Sequence, residues 1–385
     1  MIGLSTFGGC LRLIENDGSE DGGGVPGETE NGGPATDGEN GGGNSGDEIT
    51  GVELAPNWSK RVSAVTAADD DFFIRKGFTD LLRVRPDGRE VFTSEFVDDG
   101  MLMVGSGRSN TLAAGDSGIY VGAGAREEGA GARMYALDPE TGEQQWSHRE
   151  PTDGLHDGLR AGTKTDDLVL YASQSSGSGD DQEPIIRALD PADGEERWHI
   201  RREGGFVNGL AVADDRLFVQ ETFGLYVYRL STQELLSEKR VSIGFSQIVA
   251  DDDLLIVPGD TVRALSLPSG DERWSVETGR AVSTTPGVGA GGVFVGTESG
   301  YVLGFDRKSG EERWENRVDG VVEHPLIVAD GLVWVATERG DLAAFDAGTG
   351  EQAYAGEVAP DFQFTVQNGV LIDDERGTAY EIRRT

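Results

Sequence analysis

The sequence "SGEERWENRV" at residues 309–318 places a glycine, two glutamates and an arginine directly before a tryptophan that opens an alternating run. Nearly the same phrase stands at 193–202 as "DGEERWHIRR" and at 269–278 as "SGDERWSVET". An alternating run after a glycine-containing turn is typical of a β-strand. Because the phrase recurs, the chain is predicted to consist of repeated β units.

The phrase occurs seven times when its last residue is allowed to vary. The copies are PDGREVF (86–92), ETGEQQW (140–146), ADGEERW (192–198), LSTQELL (230–236), PSGDERW (268–274), KSGEERW (308–314) and GTGEQAY (348–354). Their last residues are 54, 52, 38, 38, 40 and 40 positions apart, and Gly/Ser/Asp-rich insertions near 100–118 and 173–183 explain the two long intervals. A period of about 40 residues is typical of a β-propeller blade.

A β-hairpin is predicted next to each of these turns. In "DGLVWVATERGDLAAFDAGTGE" (330–351) an alternating apolar run leads to Arg339 and Gly340, and a second apolar run follows. Seven similar hairpins are predicted at 70–84, 117–138, 166–190, 214–230, 252–266, 291–306 and 368–382.

Eight hairpins and seven turn phrases leave the last unit incomplete at the C-terminus. At the other end, "APNWSKRVSAV" (55–65) carries Trp58 before a strand-like run and has no hairpin ahead of it. A strand from the N-terminus is therefore predicted to complete the last unit. The predicted fold is all-β: an eight-bladed β-propeller over residues 51–385, with four-stranded antiparallel blades and closure by an N-terminal strand. Seven blades is the alternative count.

The sequences "ALDPETGEQQW" (136–146), "ALDPADGEERW" (188–198) and "GFDRKSGEERW" (304–314) resemble the tryptophan-docking repeat of the pyrroloquinoline quinone (PQQ) propeller superfamily. The resemblance covers residues from about 52 to 385. This superfamily includes quinoprotein alcohol dehydrogenases, which are enzymes, and the lipoprotein of the bacterial outer-membrane barrel-assembly machinery, which is a non-catalytic scaffold. The resemblance therefore implies either an oxidoreductase or a binding module.

The repeated aromatic residues are predicted to pack each blade against the next. Glycine permits the turn that precedes them, and burial of an indole contributes on the order of 2–3 kcal/mol. The predicted blade-docking residues are Trp58, Trp146, Trp198, Trp274 and Trp314. Phe92, Leu236 and Tyr354 are interpreted as degenerate copies, which favours a packing role over a chemical one.

Cofactor binding by the resembled dehydrogenases implies a vicinal disulfide above PQQ, a tryptophan below it, and a calcium or lanthanide ion beside a catalytic aspartate. Cys10 is the only cysteine of this chain, so that disulfide cannot form. His148, His156, His199 and His324 have no metal-ligand spacing. We therefore predict no cofactor, no metal and no catalytic residue, with PQQ plus calcium as the alternative.

Four polar residues are predicted near the start of the innermost strands, about ten residues after a blade aromatic. These residues are Asn208, Gln247, Thr285 and His324. They are candidates for a binding site at the mouth of the central channel. Hydration of the channel entrance is the alternative interpretation.

Charge limits the possible partners. Asp and Glu number 69 against 33 Lys and Arg, which gives a net charge of -36. Such a surface repels nucleic acid and anionic lipid. The lysine-poor, acidic composition resembles haloarchaeal proteins, which stay soluble in molar salt; a merely acidic protein is the alternative.

The N-terminal segment is predicted to be an anchor and a tether. Gly8 and Gly9 precede Cys10 as in a lipobox, where the cysteine is lipidated after signal cleavage, although residues 1–10 lack the basic lead and full apolar core of a signal peptide. A start codon upstream would explain this truncated form. Residues 11–50 are acidic, Gly-rich and almost without apolar side chains, so a disordered tether is predicted there.

Two classes of function remain from the sequence. The first is a non-catalytic, lipid-anchored, extracytoplasmic propeller, monomeric, which binds an unknown protein or small ligand and contacts the membrane only through its anchor. The second is a PQQ-dependent or other oxidoreductase that uses the propeller channel. The absence of the enzymes' disulfide favours the first class. A cytoplasmic protein with an acidic tail is the alternative location.

Overall fold

The computed structural model describes residues 5–6, 51–96, 101–104, 111–115, 117–124, 131–150, 156–175, 183–203, 205–241, 246–267, 269–358, 363–373 and 376–385. Within these residues the chain forms strands and turns, and no helix. The strands build eight sheets arranged as the blades of a β-propeller. The predicted all-β class and the count of eight blades are confirmed.

Each blade is an antiparallel sheet whose first strand lies next to the central channel and whose fourth strand lies outside. Blades 1 and 2 contain β3–β6 (Ala64–Ala68, Asp71–Lys76, Asp80–Val84, Glu90–Glu95) and β7–β10 (Met101–Leu102, Ile119–Gly124, Arg133–Leu137, Gln144–Arg149). Blades 3 and 4 contain β11–β14 (His156–Lys164, Val169–Ser175, Ile185–Leu189, Glu196–Arg201) and β15–β18 (Val207–Ala213, Arg216–Glu221, Gly224–Arg229, Leu235–Arg240).

The second half of the ring repeats this arrangement. Blades 5 and 6 contain β19–β22 (Val249–Asp251, Leu254–Val257, Thr261–Ser266, Glu272–Glu277) and β23–β26 (Gly287–Gly289, Gly292–Gly296, Tyr301–Asp306, Glu312–Arg317). Blades 7 and 8 contain β27–β30 (Ile327–Ala329, Leu332–Ala336, Asp341–Asp346, Gln352–Glu357) and β31, β32, β33 and β2 (Phe364–Gln367, Val370–Asp373, Thr378–Arg384, Val52–Ser59).

Blade 8 closes the ring with strands from both ends of the domain. The N-terminal strand β2 pairs antiparallel with the C-terminal strand β33, with Leu54 opposite Ile382 and Trp58 opposite Ala379. The backbone N–H of Thr385 donates to the carbonyl of Gly51. The predicted closure by an N-terminal strand is therefore confirmed.

The two-residue strand β1 (Ser5–Thr6) pairs antiparallel with β11, the inner strand of blade 3, and therefore lies beside the central channel. The rest of residues 1–50, including Cys10, lies outside the described residues, so the leader, the tether and the lipidation site stay predictions. Within the described residues no helix is long and apolar enough to span a membrane.

The apolar core lies between neighbouring blades because each sheet presents apolar side chains to the sheets on both sides. At the joint between blades 6 and 7, Phe294 and Trp314 of blade 6 pack with Val333 and Phe345 of blade 7, and the four side chains are at most 8% exposed. Burial of an aromatic side chain of this size stabilises the fold by about 2–3 kcal/mol.

The two faces of the ring carry different turns. The turns between the first two and the last two strands of each blade lie on one face, which also holds Gly51 and Thr385; we call it the terminal face. The turns between the second and third strands, and the connections between blades, lie on the opposite face. Most two-residue turns of the terminal face between first and second strands contain aspartate, as at Asp214, Asp252 and Asp330.

Candidate functional site

Four of the eight joints between blades share one contact, which is clearest between blades 6 and 7. The Nε1–H of Trp314, on the outer strand of blade 6, donates to the carbonyl of Ala347 in the turn before the outer strand of blade 7 (3.1 Å). Gly350 in the same turn has φ +76°, and a Cβ on it would lie 2.6 Å from the Trp314 ring. The indole therefore occupies the space that a side chain at position 350 would need.

The same geometry recurs at three other joints. An indole Nε1–H donates to a carbonyl of the next blade's turn at 2.8–2.9 Å, in the pairs Trp58 to Pro86, Trp146 to Pro191 and Trp274 to Arg307. The glycine of each turn has positive φ and faces the ring, in the pairs Gly88 with Trp58, Gly194 with Trp146 and Gly310 with Trp274. A stabilising role for these tryptophans stays a prediction.

Blade 4 departs from this pattern at both of its joints. Its turn has Gln233 with φ +58° where the other turns have glycine, and Trp198 of blade 3, which faces this turn, is only half-buried. In the pairing of its third and outer strands, Val227 is opposite Ser237 and Tyr228 is opposite Leu235, so the register shifts at Leu236. Ser237, rather than Leu236, thus stands where other blades have the aromatic.

The joint between blades 7 and 8 departs for a different reason. Blade 8 has no turn between its third and fourth strands, because the chain ends at Thr385 and the outer strand begins near Gly51. Tyr354 of blade 7 lies against Trp334 of its own blade instead, with ring centroids 5.7 Å apart. The missing turn explains why this position carries a tyrosine rather than a docked indole.

An aspartate caps the docking turns. In blade 6, Asp306 Oδ1 accepts hydrogen bonds from the backbone N–H groups of Lys308 and Ser309, and Oδ2 accepts from Arg313 (2.5 Å). The Arg313 guanidinium and the Ser309 N–H hold the pKa of the Asp306 carboxyl well below its usual range. Similar bonds from Thr141 lower the pKa of Asp138.

Three of the four predicted channel-mouth residues belong to one chain of hydrogen bonds that crosses blades 4, 5 and 6. Gln247 Nε2 donates to the carbonyl of Asn208 (3.0 Å), and the Gln247 backbone N–H donates to Thr285 Oγ1 (3.1 Å). Asn208 Nδ2 donates to Thr222 Oγ1 on its own blade (3.2 Å). All three predicted residues are buried, so these groups connect blades rather than present open polar atoms.

His324 stands in the corresponding place before the inner strand of blade 7. It is half-buried, and the backbone N–H of Leu326, two residues further on, donates to the carbonyl of Thr285 on blade 6 (3.3 Å). Asn208 is the second residue of its inner strand, whereas Gln247, Thr285 and His324 lie two or three residues before theirs. Their use as a ligand site stays a prediction.

The residues at this position do not fit PQQ with calcium. Within the described part of the chain, no group of three or more His, Cys, Asp or Glu side chains could hold a metal ion. The side chains of Asn208, Gln247 and Thr285 are uncharged; those of Gln247 and Thr285 take part in hydrogen bonds between blades, and that of Asn208 bonds to Thr222 of its own blade. A quinone with three carboxylates would therefore find neither a metal nor a cation among these three side chains.

One buried polar cluster is not predicted by any pattern in the sequence. Glu150, 1% exposed at the end of blade 2, accepts from Arg187 Nε (2.9 and 3.0 Å), Tyr171 (2.6 Å) and Ser173 (3.1 Å) of blade 3. Arg187 also donates to Glu196 (2.5 Å). Burial, and then the Glu150 carboxylate, raises the pKa of Tyr171 well above its usual value. Each charge has partners, so the cluster acts as a connection between two blades.

Comparison with known proteins places the chain among PQQ-type propellers. The fold is similar to BamB from Moraxella catarrhalis, with a TM-score of 0.61 and 17% identity over 86% of this chain and 98% of that one. It is also similar to the computationally designed Ika8 protein, with a TM-score of 0.63, 13% identity, and coverage of 87% and 100%.

An enzyme has a comparable fold. Quinohemoprotein alcohol dehydrogenase from Comamonas testosteroni matches with a TM-score of 0.62 and 11% identity over 87% of this chain and 76% of that one. No curated protein sequence matches. The family model described as "Outer membrane protein assembly factor BamB" matches residues 42–179, 182–261 and 258–376, which is most of the chain. The predicted membership of the PQQ-like repeat superfamily is confirmed, and the chain belongs to this BamB family of β-propellers.

Proposed function

We propose that this protein is a non-catalytic binding module, held outside the cytoplasmic membrane by a lipid on Cys10. The observation that carries this proposal is the hydrogen-bond chain at the start of the inner strands. Gln247 donates to Asn208 and Thr285, so these polar groups connect three blades. The family model that matches this chain is described as an assembly factor. Together with this arrangement, that description favours binding through the faces of the ring.

The first experiment separates binding from redox chemistry. The protein, purified in molar KCl, is mixed with PQQ and calcium, passed over a desalting column and examined by absorbance and mass spectrometry. Dye-linked oxidation of alcohols and sugars is measured in parallel. We expect no retained quinone and no turnover above a boiled control. A quinone spectrum together with turnover would overturn the proposal in favour of the oxidoreductase.

A second experiment addresses the anchor. Full-length protein and the Cys10→Ser variant are produced in a salt-loving archaeal host, from the natural gene with its upstream region. The membrane and soluble fractions are then compared by immunoblot and by mass spectrometry of the N-terminal peptide. We expect the wild-type protein in the membrane fraction with a lipid mass on Cys10, and the variant in the soluble fraction. Equal distribution of the two proteins would refute lipid anchoring.

A further inference from the structure

Blade 4 carries an unusual share of exposed apolar surface. Among the described residues only four large apolar side chains are exposed, and three belong to blade 4 or the segment leading into it: Phe223 (74%), Leu235 (45%) and Phe206 (40%). The fourth is Phe78 on blade 1 (50%). Exposed aromatic side chains grouped at one place on a soluble protein mark interaction sites.

Two of these phenylalanines lie at the same end of blade 4, on the opposite face. Val207 is paired with Glu221, so Phe206 and Phe223 come just before and just after the paired segments of the inner hairpin. The backbone N–H of Val241 donates to the carbonyl of Phe223 (3.3 Å), which brings the end of the outer strand to the same place. We call this end of blade 4, together with Arg201 at the end of the outer strand of blade 3, the blade-4 patch; it consists of residues 201–203, 205–206, 221–224 and 239–241.

The charge of the blade-4 patch differs from that of the molecule. Residues 201–241 contain six Lys/Arg and six Asp/Glu, whereas the whole chain has a net charge of -36. The patch itself has three cations, Arg201, Arg202 and Arg240, and two carboxylates, Glu203 and Glu221, while the ammonium group of Lys239 donates to the carbonyl of Gly270 on blade 5 (3.4 Å). It is thus a locally basic and apolar place on an acidic surface.

One of the two carboxylates is committed within the blade. Glu221, 7% exposed, accepts from Arg202 Nε (2.7 Å). The Arg202 guanidinium lies over the Tyr226 ring at 3.5 Å and donates to Tyr228 (2.7 Å). Arg202 is therefore held by residues of blade 4. Arg201 and Arg240 are both exposed, and they are the cations that can pair with an incoming carboxylate.

We propose that the blade-4 patch binds an extended segment of a partner protein that presents an aromatic or aliphatic side chain beside a carboxylate. The apolar side chain would contact Phe206 and Phe223, and the carboxylate would pair with Arg240. Charge favours this occupant, since an acidic segment is repelled by most of the surface and meets cations here. Nucleic acid and anionic lipid are too extended to avoid the surrounding acidic surface.

The position of the blade-4 patch leaves it accessible to a partner protein. Gly51 and Thr385 lie on the terminal face, whereas the patch lies on the opposite face. A chain that reaches the ring through residue 51 therefore leaves the patch clear. The inference rests on the proposed binding function and names the surface and the partner chemistry.

The test is photo-cross-linking in the cells that make the protein. Benzoyl-phenylalanine replaces Phe223 in the full chain, and the matched control places it at Phe78, which is also exposed and also in a turn between second and third strands. Cross-linked peptides are identified by mass spectrometry. We expect one partner protein at position 223 and none at position 78, with an aromatic or aliphatic residue next to Asp or Glu in the linked segment.

A synthetic peptide with the linked sequence is then titrated into purified protein by fluorescence anisotropy in 0.2 M and 3 M KCl. We expect Phe206→Ser to weaken binding about 10-fold at both concentrations, because the variant loses a buried aromatic contact that does not depend on charge. Arg240→Glu should weaken binding at 0.2 M and have a much smaller effect at 3 M, where the screening length is shorter than the roughly 3 Å found at 1 M.

Several outcomes would overturn the inference. They are cross-links at position 223 only to a second copy of this chain, equal yields at 223 and 78, no cross-link at 223, and a linked segment that is basic or lacks an apolar side chain. A partner captured at another surface would reject the patch and leave the binding function intact. Quinone-dependent oxidation would instead reject the binding function itself.

Discussion

At Gly350 the Trp314 indole occupies the space of a missing side chain, and this makes a prediction with an internal control. A Cβ at Gly350 (φ +76°) would lie 2.6 Å from the indole, while Gly369 (φ +72°) has nothing within 4 Å of the same position. Both Gly→Ala changes cost about 1–2 kcal/mol for the left-handed backbone. Gly350→Ala should cost about 1–3 kcal/mol more because of crowding.

The two variants are compared by the free energy of unfolding from denaturant titration in molar KCl. Equal destabilisation of Gly350→Ala and Gly369→Ala would contradict the predicted docking role of Trp314. The comparison isolates packing because the backbone cost is common to both positions.

At Gln233 we predict a substitution that stabilises the fold, in contrast to Gly350→Ala. Its φ of +58° is unfavourable for a residue with a side chain, and glycine stands at this place in the turns of blades 1 to 3 and 5 to 7. Gln233→Gly removes that strain and the side-chain bond to Leu230 (2.8 Å), so we expect a net gain of up to about 1 kcal/mol. The measurement is the shift of the denaturation midpoint, and a loss of stability would show that the glutamine is needed.

This residue also explains one difference between sequence and structure. With glycine absent from the turn of blade 4, the phrase LSTQELL has no fixed anchor, and its aromatic position was predicted at Leu236. The strand register places Ser237 there. Where the glycine was present, as at Gly142 or Gly310, the spacing from glycine to aromatic was predicted correctly, since the turn geometry fixes it.

At the scale of a single turn, we expect the capped turn of blade 6 to lower the free energy of unfolding as the pH falls below about 4. The pKa of Asp306 is lowered in the folded state, so its contribution is fully present above the unfolded-state pKa of about 4 and is lost as pH falls further. We expect Asp306→Asn to be less stable than wild type at pH 6 and to lose less stability between pH 4 and pH 2. Urea titrations across this range measure the difference.

Asp166→Asn serves as the control for this experiment, because Asp166 is an exposed aspartate in another turn. A pH profile of Asp306→Asn parallel to that of wild type would contradict the capping role. The same comparison can be made at Asp138, whose pKa is lowered by the same kind of bonds from Thr141.

Strand order and blade boundaries could be predicted from the sequence because each blade repeats the alternating pattern and the glycine turn. The cluster around Glu150 could not, because its members come from positions 150, 171, 173, 187 and 196 on two blades. No pattern of sequence spacing predicts that Glu150, at the end of the outer strand of blade 2, contacts side chains of blade 3. The patch at Phe206 and Phe223 escaped for a similar reason, since only the strand register brings the two residues to one end of a blade.

For the whole molecule, closure by β2 predicts a loss of cooperativity when that strand is removed. A chain that begins at residue 50 keeps all 32 blade strands, whereas one that begins at residue 60 lacks β2 and leaves β33 with an unpaired edge. We expect the first to unfold like full-length protein, and the second to unfold at lower temperature with a broader transition. Similar melting curves for the two shortened chains would contradict closure as a source of stability.

The net charge of -36 predicts that salt stabilises the folded chain. Self-repulsion opposes the compact state, and the screening length falls from about 10 Å at 0.1 M to about 3 Å at 1 M salt. We expect the free energy of unfolding to rise over this range of KCl, and to rise far less in sucrose of equal osmolality. A value independent of KCl would contradict the haloarchaeal interpretation of the composition.

Blade 8 also sets the order of events during synthesis. Thr378, which pairs with Ser59, follows it by 319 residues, so a ribosome adding roughly 5–20 residues per second needs about 16–64 s to make the partner of β2. Until then the partner strand of β2 does not exist, although Pro86, which accepts the hydrogen bond from Trp58, has already been made. The ring therefore closes only after translation is almost finished, and the backbone of residues 52–59 has no partner strand throughout that interval.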